Sequence, residues 1–162
     1  MPASPDDLFA RLSELGVETR THHHPPVYTV EESKRLCGDL PGSHSKNLFL
    51  KDKKGNLWLI VTLEDRAIDM KDLRKRIGSQ PLSFGKPDLL MEVLGIIPGA
   101  VTPFALINDP ENRVNVVLDS EMMEGPQLNF HPLTNAATTT ISPADLVTFV
   151  EACGHQPRIV DL

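Results

Sequence analysis

Two short apolar runs, Leu48 to Leu50 and Leu57 to Val61, flank a polar, glycine-containing break from Lys51 to Asn56. That pattern predicts a β-hairpin with a short loop, and five successive apolar residues place its second arm under cover on both faces. The rest of the chain has to supply that cover. Lys46 stands at the entrance to the first arm, just after a loop, LPGSHS, that holds His44 between two serines. A lysine there either snorkels to solvent or is held in a pocket.

The length of 162 residues is enough for one compact domain with a real core, and no internal repeat divides it, so the expectation is a single domain over 1–162. No apolar run is long enough to span a bilayer. The N-terminus MPASPDDLFARL is acidic and amphipathic, unlike a signal peptide. Cys37 and Cys153 stand far apart with no CxxC pairing, so reduced thiols in a cytoplasmic protein are expected. The net charge of −6 argues against a protein that coats nucleic acid, because phosphate neutralisation needs a broad basic surface. Local basic clusters remain at Lys34–Arg35, at Lys51, Lys53 and Lys54, and at Lys71 with Arg74 to Arg76. If they share a side, they suit the end of one RNA strand.

In chain order, Ser4 or Pro5 opens a helix with Leu8, Leu12 and Leu15 on one stripe and Gly16 as its stop. Val17 to Thr21 is expected as a short strand, and the following THHHPP as irregular. His22 to His24 suggest a metal, but consecutive residues on an extended chain point to alternate sides, so no metal site is expected. Thr29 and Glu32 form a capping box for a helix from Val30 to Cys37. Asp69 caps a helix over Met70 to Ile77; Leu82 to Phe84 is a brief strand; Pro87 starts a helix that Gly95 stops. In IPGAVTPFALIND, Gly99 and Pro103 bracket a tight turn, glycine allowing positive φ and proline fixing the exit into a strand from Phe104 to Ile107. A rigid turn of this kind aims backbone N–H and C=O groups in a set direction, as holding a reacting carbonyl or a water requires. NDPENR reads as a hairpin turn before a strand from Val114 to Asp119. Leu128 to His131 and Ala137 to Ile141 read as strands around HPLTNA, in which His131 is either a core histidine or a partner at a pocket mouth. Ser142 to Cys153 is the last helix, and Ile159–Val160 an edge strand. The sum is mixed α/β without regular βαβ alternation, and no phosphate-binding glycine motif is present.

The stretches SKNLFLKD, PGAVTPFALIND and FHPLTNAATTTIS, in that order, resemble the prolyl-tRNA editing superfamily, the YbaK or ProX family. Within it the chain is most similar to free-standing deacylases that clear alanine from proline tRNA. The resemblance implies a mixed, partly closed β-sheet surrounded by helices, with aminoacyl-tRNA as partner and no cofactor. It carries over Lys46 as the signature lysine, Asn47 beside it, Gly99, Ala100, Val101, Thr102 and Pro103 as the G-x-x-x-P loop, and His131 as the FHP histidine. Lys34, Arg35 and Lys51 are then candidates for phosphate contacts on the tRNA. Docking on a prolyl-tRNA synthetase is a further implied association.

No Ser-His-Asp or Cys-His set and no metal cage is legible, so covalent and metal routes lack support. An aminoacyl ester is already activated, and positioning a water suffices. Other readings are a deacylase for cysteine, serine or threonine esters, a non-catalytic synthetase- or RNA-binding module, and a hydrolase of some small ester or a metal enzyme built on His22 to His24.

Overall fold

A computed structural model of the chain describes residues 2–29, 31, 32, 35 and 42–162. Helix α1 (Pro5–Glu14) starts where Ser4 Oγ accepts from the Asp7 N–H at 3.1 Å and the Asp7 carboxylate accepts from the Ser4 N–H at 2.9 Å. Strand β1 (Arg20–His23) follows. The predicted hairpin is β2 (Ser43–Asp52) and β3 (Leu57–Leu63), antiparallel from Ser45 opposite Leu63 to Lys51 opposite Leu57. Its turn is held by the Asp52 carboxylate, which accepts from the Lys54 and Asn56 N–H groups, both at 3.0 Å, and from Trp58 Nε1 at 3.4 Å. Helix α2 (Met70–Ile77), β4 (Leu82–Phe84) and α3 (Pro87–Leu94) come next. The chain then runs through β5 (Val114–Asp119), a single turn α4 (Ser120–Met123), β6 (Leu128–Phe130), β7 (Ala137–Ile141), α5 (Pro143–Ala152) and β8 (Arg158–Val160).

The eight strands form one mixed sheet in the order β1-β7-β6-β2-β3-β5-β8, with β4 added to β2. The β2–β6, β3–β5 and β5–β8 pairs are parallel and the others antiparallel. This is the mixed α/β architecture expected. Alternation along β3 explains its apolar run: Leu57, Leu59 and Val61 join the large core with residues of α1, α3 and α5, while Trp58 and Ile60 join a smaller one with Leu73 and Ile77 of α2. In the large core Phe104 meets Phe130 and Phe149 edge to face, with centroids 5.9 and 5.5 Å apart.

One irregularity positions everything that follows. Along one edge β2 pairs with β3 throughout, but along the other it touches β6 only at Ser43 and His44, and β4 only at Leu50 to Asp52. Between them, at Ser45 to Leu48, that edge has no strand partner among the described residues. Lys46 and Asn47 lie in this gap.

Four expectations change. Lys46 is inside β2 instead of at its entrance, because the strand begins at Ser43. The strand expected at Val17 to Thr21 is shifted to Arg20–His23, so His22 and His23 are sheet residues paired with Thr138 and Ala137. Phe104 to Ile107 is not a strand. It belongs to a 3-10 segment, Pro103–Asn108, begun by Thr102, whose hydroxyl accepts from the Phe104 N–H at 3.3 Å. A short run buried on every side does not distinguish strand from helical turn. NDPENR is therefore no hairpin turn; β5 enters the sheet parallel to β3, its start fixed by Asp109, which accepts from the Arg113 and Val114 N–H groups. Of the capping box expected at Thr29 and Glu32, the N-cap bond is present, the Thr29 hydroxyl accepting from the Glu32 N–H at 3.1 Å, while the Glu32 carboxylate accepts from the Thr29 hydroxyl at 3.3 Å. Most of the helix expected after it, with Lys34 and Cys37, lies outside the described residues.

Candidate functional site

A cavity of about 180 Å³ opens at the gap in β2. Lys46 and Asn47 reach it from β2, Pro98, Gly99 and Val101 from the segment after α3, His131 from the end of β6, and Val27 to Thr29 from the loop after β1. So the structure brings Lys46, Asn47, Gly99, Val101 and His131 together. Ala100, Thr102 and Pro103 are buried and do not line the cavity with their side chains. Lys51 and Arg35 are exposed, and Lys51 is at the far end of β2, about 17 Å along the strand at roughly 3.4 Å per residue.

Asn135 ties three of these segments together. Its side-chain amide donates to the Val27 carbonyl at 3.0 Å, its own carbonyl accepts from the Val27 N–H at 3.0 Å, and a Cβ on Gly99 would fall 3.3 Å from its Nδ2. Gly99 thus lets the Asn135 amide approach closely, a Cβ there requiring it to give by tenths of an ångström; it is not among the residues of positive φ. The same added Cβ would lie 3.6 Å from Tyr28 Cδ1, an ordinary van der Waals contact. Tyr28 is 68% exposed at the rim of the cavity. It is the chain's single tyrosine, and its place beside HHHPP was the signal available for it. Asn135 and Glu64, the latter also lining the cavity, carried no comparable signal.

His131 donates from Nδ1 to the Ala137 carbonyl at 2.9 Å. Burial disfavours its charged form and lowers its pKa; the Ala137 bond works against that, and nearby His24 adds slightly to the lowering. With Nδ1 carrying the proton, Nε2 is left as an acceptor. Lys46 is half-buried, and its side chain forms no hydrogen bond or ion pair among the described residues. Among the described residues Asn47 Oδ1 is buried without a hydrogen-bond partner, as is His44 Nε2. A narrow, mostly polar recess of about 30 Å³ adjoins the cavity, lined by Phe130 and by His44, Ser45, Asn47, Asn129, His131 and Thr138. The arrangement offers a cation, a neutral imidazole acceptor and an amide around a small space, which suits positioning of a polar substrate and a water.

The histidine cluster is otherwise engaged. His24 places Nδ1 2.8 Å from the Pro25 carbonyl and Nε2 2.9 Å from Thr138 Oγ1, so both ring nitrogens are occupied. Among the described residues no group of three His, Cys, Asp or Glu is placed to hold a metal. Burial pushes the Cys153 thiol up to about 11, the nearby Arg11 opposing it, which makes it a poor nucleophile at neutral pH. A larger recess, about 660 Å³ between α1 and β7, gathers only Glu18, Arg20 and Asp145 as charged groups. No helix among the described residues is long and apolar enough to cross a membrane.

Residues 24–149 match the aminoacyl-tRNA editing domain family. The chain is 44% identical over 160 residues to prolyl-tRNA synthetase associated domain-containing protein 1 of Mus musculus, covering 96% of this chain and 94% of that one. It is 37% identical over 156 residues to prolyl-tRNA editing protein ProX of Acetoanaerobium sticklandii, covering 96% and 95%. A crystal structure described as a candidate trans-editing enzyme for prolyl tRNA synthetase superposes with a TM-score of 0.74 at 20% identity, over 100% of this chain and 99% of that one, which shows the shared fold.

Proposed function

Because the chain belongs to the aminoacyl-tRNA editing domain family, we propose that it is a free-standing deacylase that hydrolyses alanine from mischarged proline tRNA. The observation that carries this reading is the convergence of Lys46, Asn47, Gly99 and His131, from three separate segments, on one cavity of about 180 Å³. The physical need is plain. A synthetase pocket shaped for proline rejects the smaller alanine poorly, since lost apolar contacts discriminate by only about 1 to 3 kcal/mol. A second, smaller site admits alanine and excludes proline.

In the proposed reaction the Lys46 ammonium holds the ester carbonyl or the terminal nucleotide by charge, and backbone groups of Gly99 to Pro103 hold the carbonyl or the attacking water. The neutral His131 accepts through Nε2 from the aminoacyl group and orients it. Water adds to the carbonyl carbon, the bond to the ribose oxygen breaks, and a water proton ends on that oxygen. Free alanine and uncharged tRNA leave. A neighbouring ribose hydroxyl helps place the water, and no covalent intermediate is required. Lys34, Arg35 and Lys51 remain proposed phosphate contacts, and association with prolyl-tRNA synthetase is proposed in keeping with the names of the relatives.

The polar recess beside the cavity favours a second reading, in which a hydroxyl-bearing serine or threonine ester enters it. A relative in Escherichia coli, 29% identical over 112 residues that make up 64% of this chain and 67% of that one, is named multifunctional Ser/Thr-tRNA deacylase ProXp-y. The test is deacylation of alanyl-tRNA for proline by wild type and Lys46→Ala, beside the seryl ester. Loss of alanine that the variant abolishes supports the first reading, and faster loss of serine the second. A wild type that binds the tRNA but cleaves neither ester leaves a binding module as the better reading.

A further inference from the structure

A groove of about 590 Å³ lies at the opposite end of β2 from the cavity, where β4, the hairpin turn and the start of α3 meet. Phe84 lines it and is 65% exposed, although it sits in a strand. Gly85 explains how the ring comes to stand outside. A Cβ there would lie 2.3 Å from Phe49 Cδ2, so only glycine lets the chain cross the buried Phe49 ring at this point, where its N–H donates to the Phe49 carbonyl at 2.9 Å. Lys51, Lys53 and Lys86 line the same groove. Three acids line it too: Glu92 is paired with Arg113 at 3.1 Å, which leaves Asp52, held in the hairpin turn, and Asp88 facing the lysines. In a chain of net charge −6, a groove whose three lysines match its three acids, one of those acids already paired with Arg113, is locally much less acidic than the whole, and it surrounds an uncovered aromatic ring.

We infer that this groove binds the single-stranded 3′ end of an RNA, one base stacking on Phe84 while Lys51 and Lys86 meet the flanking phosphates. The inference rests on the deacylase reading, which puts the terminal nucleotide at Lys46. From Lys46 to Lys51 the strand covers about 17 Å; its edge has no strand partner among the described residues as far as Leu48, and from Leu50 on it is taken up by β4, with Phe84 opposite Leu50. A nucleotide chain leaving the cavity along that edge reaches Phe84 within a few nucleotides. Aromatic stacking and lysine–phosphate contacts are the combination that holds single strands without reading sequence.

The test uses the full chain with Phe84→Ala, Phe84→Tyr and the double variant Lys51→Glu/Lys86→Glu. Substrates are the complete aminoacyl-tRNA and a minimal aminoacyl ester of adenosine, and a labelled single-stranded oligoribonucleotide ending in CCA is titrated separately. Phe84→Ala is expected to raise KM for the tRNA and Kd for the oligonucleotide roughly tenfold. The minimal ester should be cleaved at the wild-type rate, and Phe84→Tyr should bind as wild type does. The double variant should weaken binding further and flatten its salt dependence. Unchanged oligonucleotide binding in both Phe84→Ala and the double variant overturns the inference, as does an equal loss on the tRNA and the minimal ester. Absence of cleavage by wild type refutes the deacylase reading instead, and the oligonucleotide titration still decides the groove.

Discussion

At its C-terminal end β2 finishes on Asp52, a carboxylate 3% exposed that accepts hydrogen bonds from Lys54, Asn56 and Trp58. Near its start, five residues before Lys51, the Lys46 side chain is without a partner and Asn47 Oδ1 is buried and unpaired, both among the described residues. One polar residue closes a turn, and the other two face a cavity. The difference is in how much of each group's bonding capacity the fold itself consumes. A buried polar atom that the fold leaves unsatisfied costs stability, which a ligand recovers on binding.

The largest expected effect breaks the open end. Lys46→Ala should lower kcat/KM for alanyl-tRNA about a hundredfold, equivalent to about 2.7 kcal/mol, while thermal unfolding stays at the wild-type temperature. A comparable loss of stability would mean that Lys46 is structural. Asp52→Ala should do the reverse. Stripping an acceptor from several donors in the turn is expected to cost about 3 kcal/mol in denaturant unfolding, with activity per folded molecule retained.

Asp52 also gives the closed end a pH signature. Burial raises its pKa, but the bonds from Asn56, Trp58 and Lys54 outweigh burial and hold it below the ordinary 3.8. Between the lowered value and 3.8 the unfolded chain binds more protons than the folded one, so stability rises with pH in that window. The contribution is complete above the unfolded pKa and disappears as pH falls through the folded one. Urea unfolding of wild type and Asp52→Asn across pH 2 to 5 checks this: the two should converge at the acid end (roughly pH 2).

At the open end the corresponding group is His131. Its pKa lies below 6.5, so the neutral acceptor form is already present at neutral pH. The acid limb of kcat/KM should therefore fall below 6.5, and His131→Ala should lower kcat/KM roughly tenfold. An acid limb above 6.5 would contradict a neutral role. The smallest effect is expected from Gly99→Ala. Its Cβ would press Asn135 Nδ2 at 3.3 Å, and a shift of the Asn135 amide by tenths of an ångström should reduce activity only a few-fold at nearly unchanged stability.

Local physics made part of this legible. Ser4, Asp69 and Ser142 cap the helices that follow them because a capping side chain and its N–H are neighbours in sequence. The hairpin is legible for the same reason. Phe104 was misread because its run is buried from all sides, so alternation is absent. The parallel pairing of β3 with β5 joins segments more than fifty residues apart and leaves no mark on either. At the site, Lys46, Asn47, Gly99 and His131 stood out through their motifs. The packing at Gly99 did not, since the neighbour it meets, Asn135, is distant in sequence, and Tyr28 reaches the cavity from the loop that Asn135 holds.

The most direct test of the central claim is a single-turnover comparison of alanyl- and prolyl-tRNA for proline with the wild-type protein. The account predicts that alanine is released at least tenfold faster, because a site too small for proline excludes it by steric clash, and that prolyl-tRNA stays charged. Equal rates for the two esters would contradict a cavity that selects by size, and release of neither would contradict the deacylase itself.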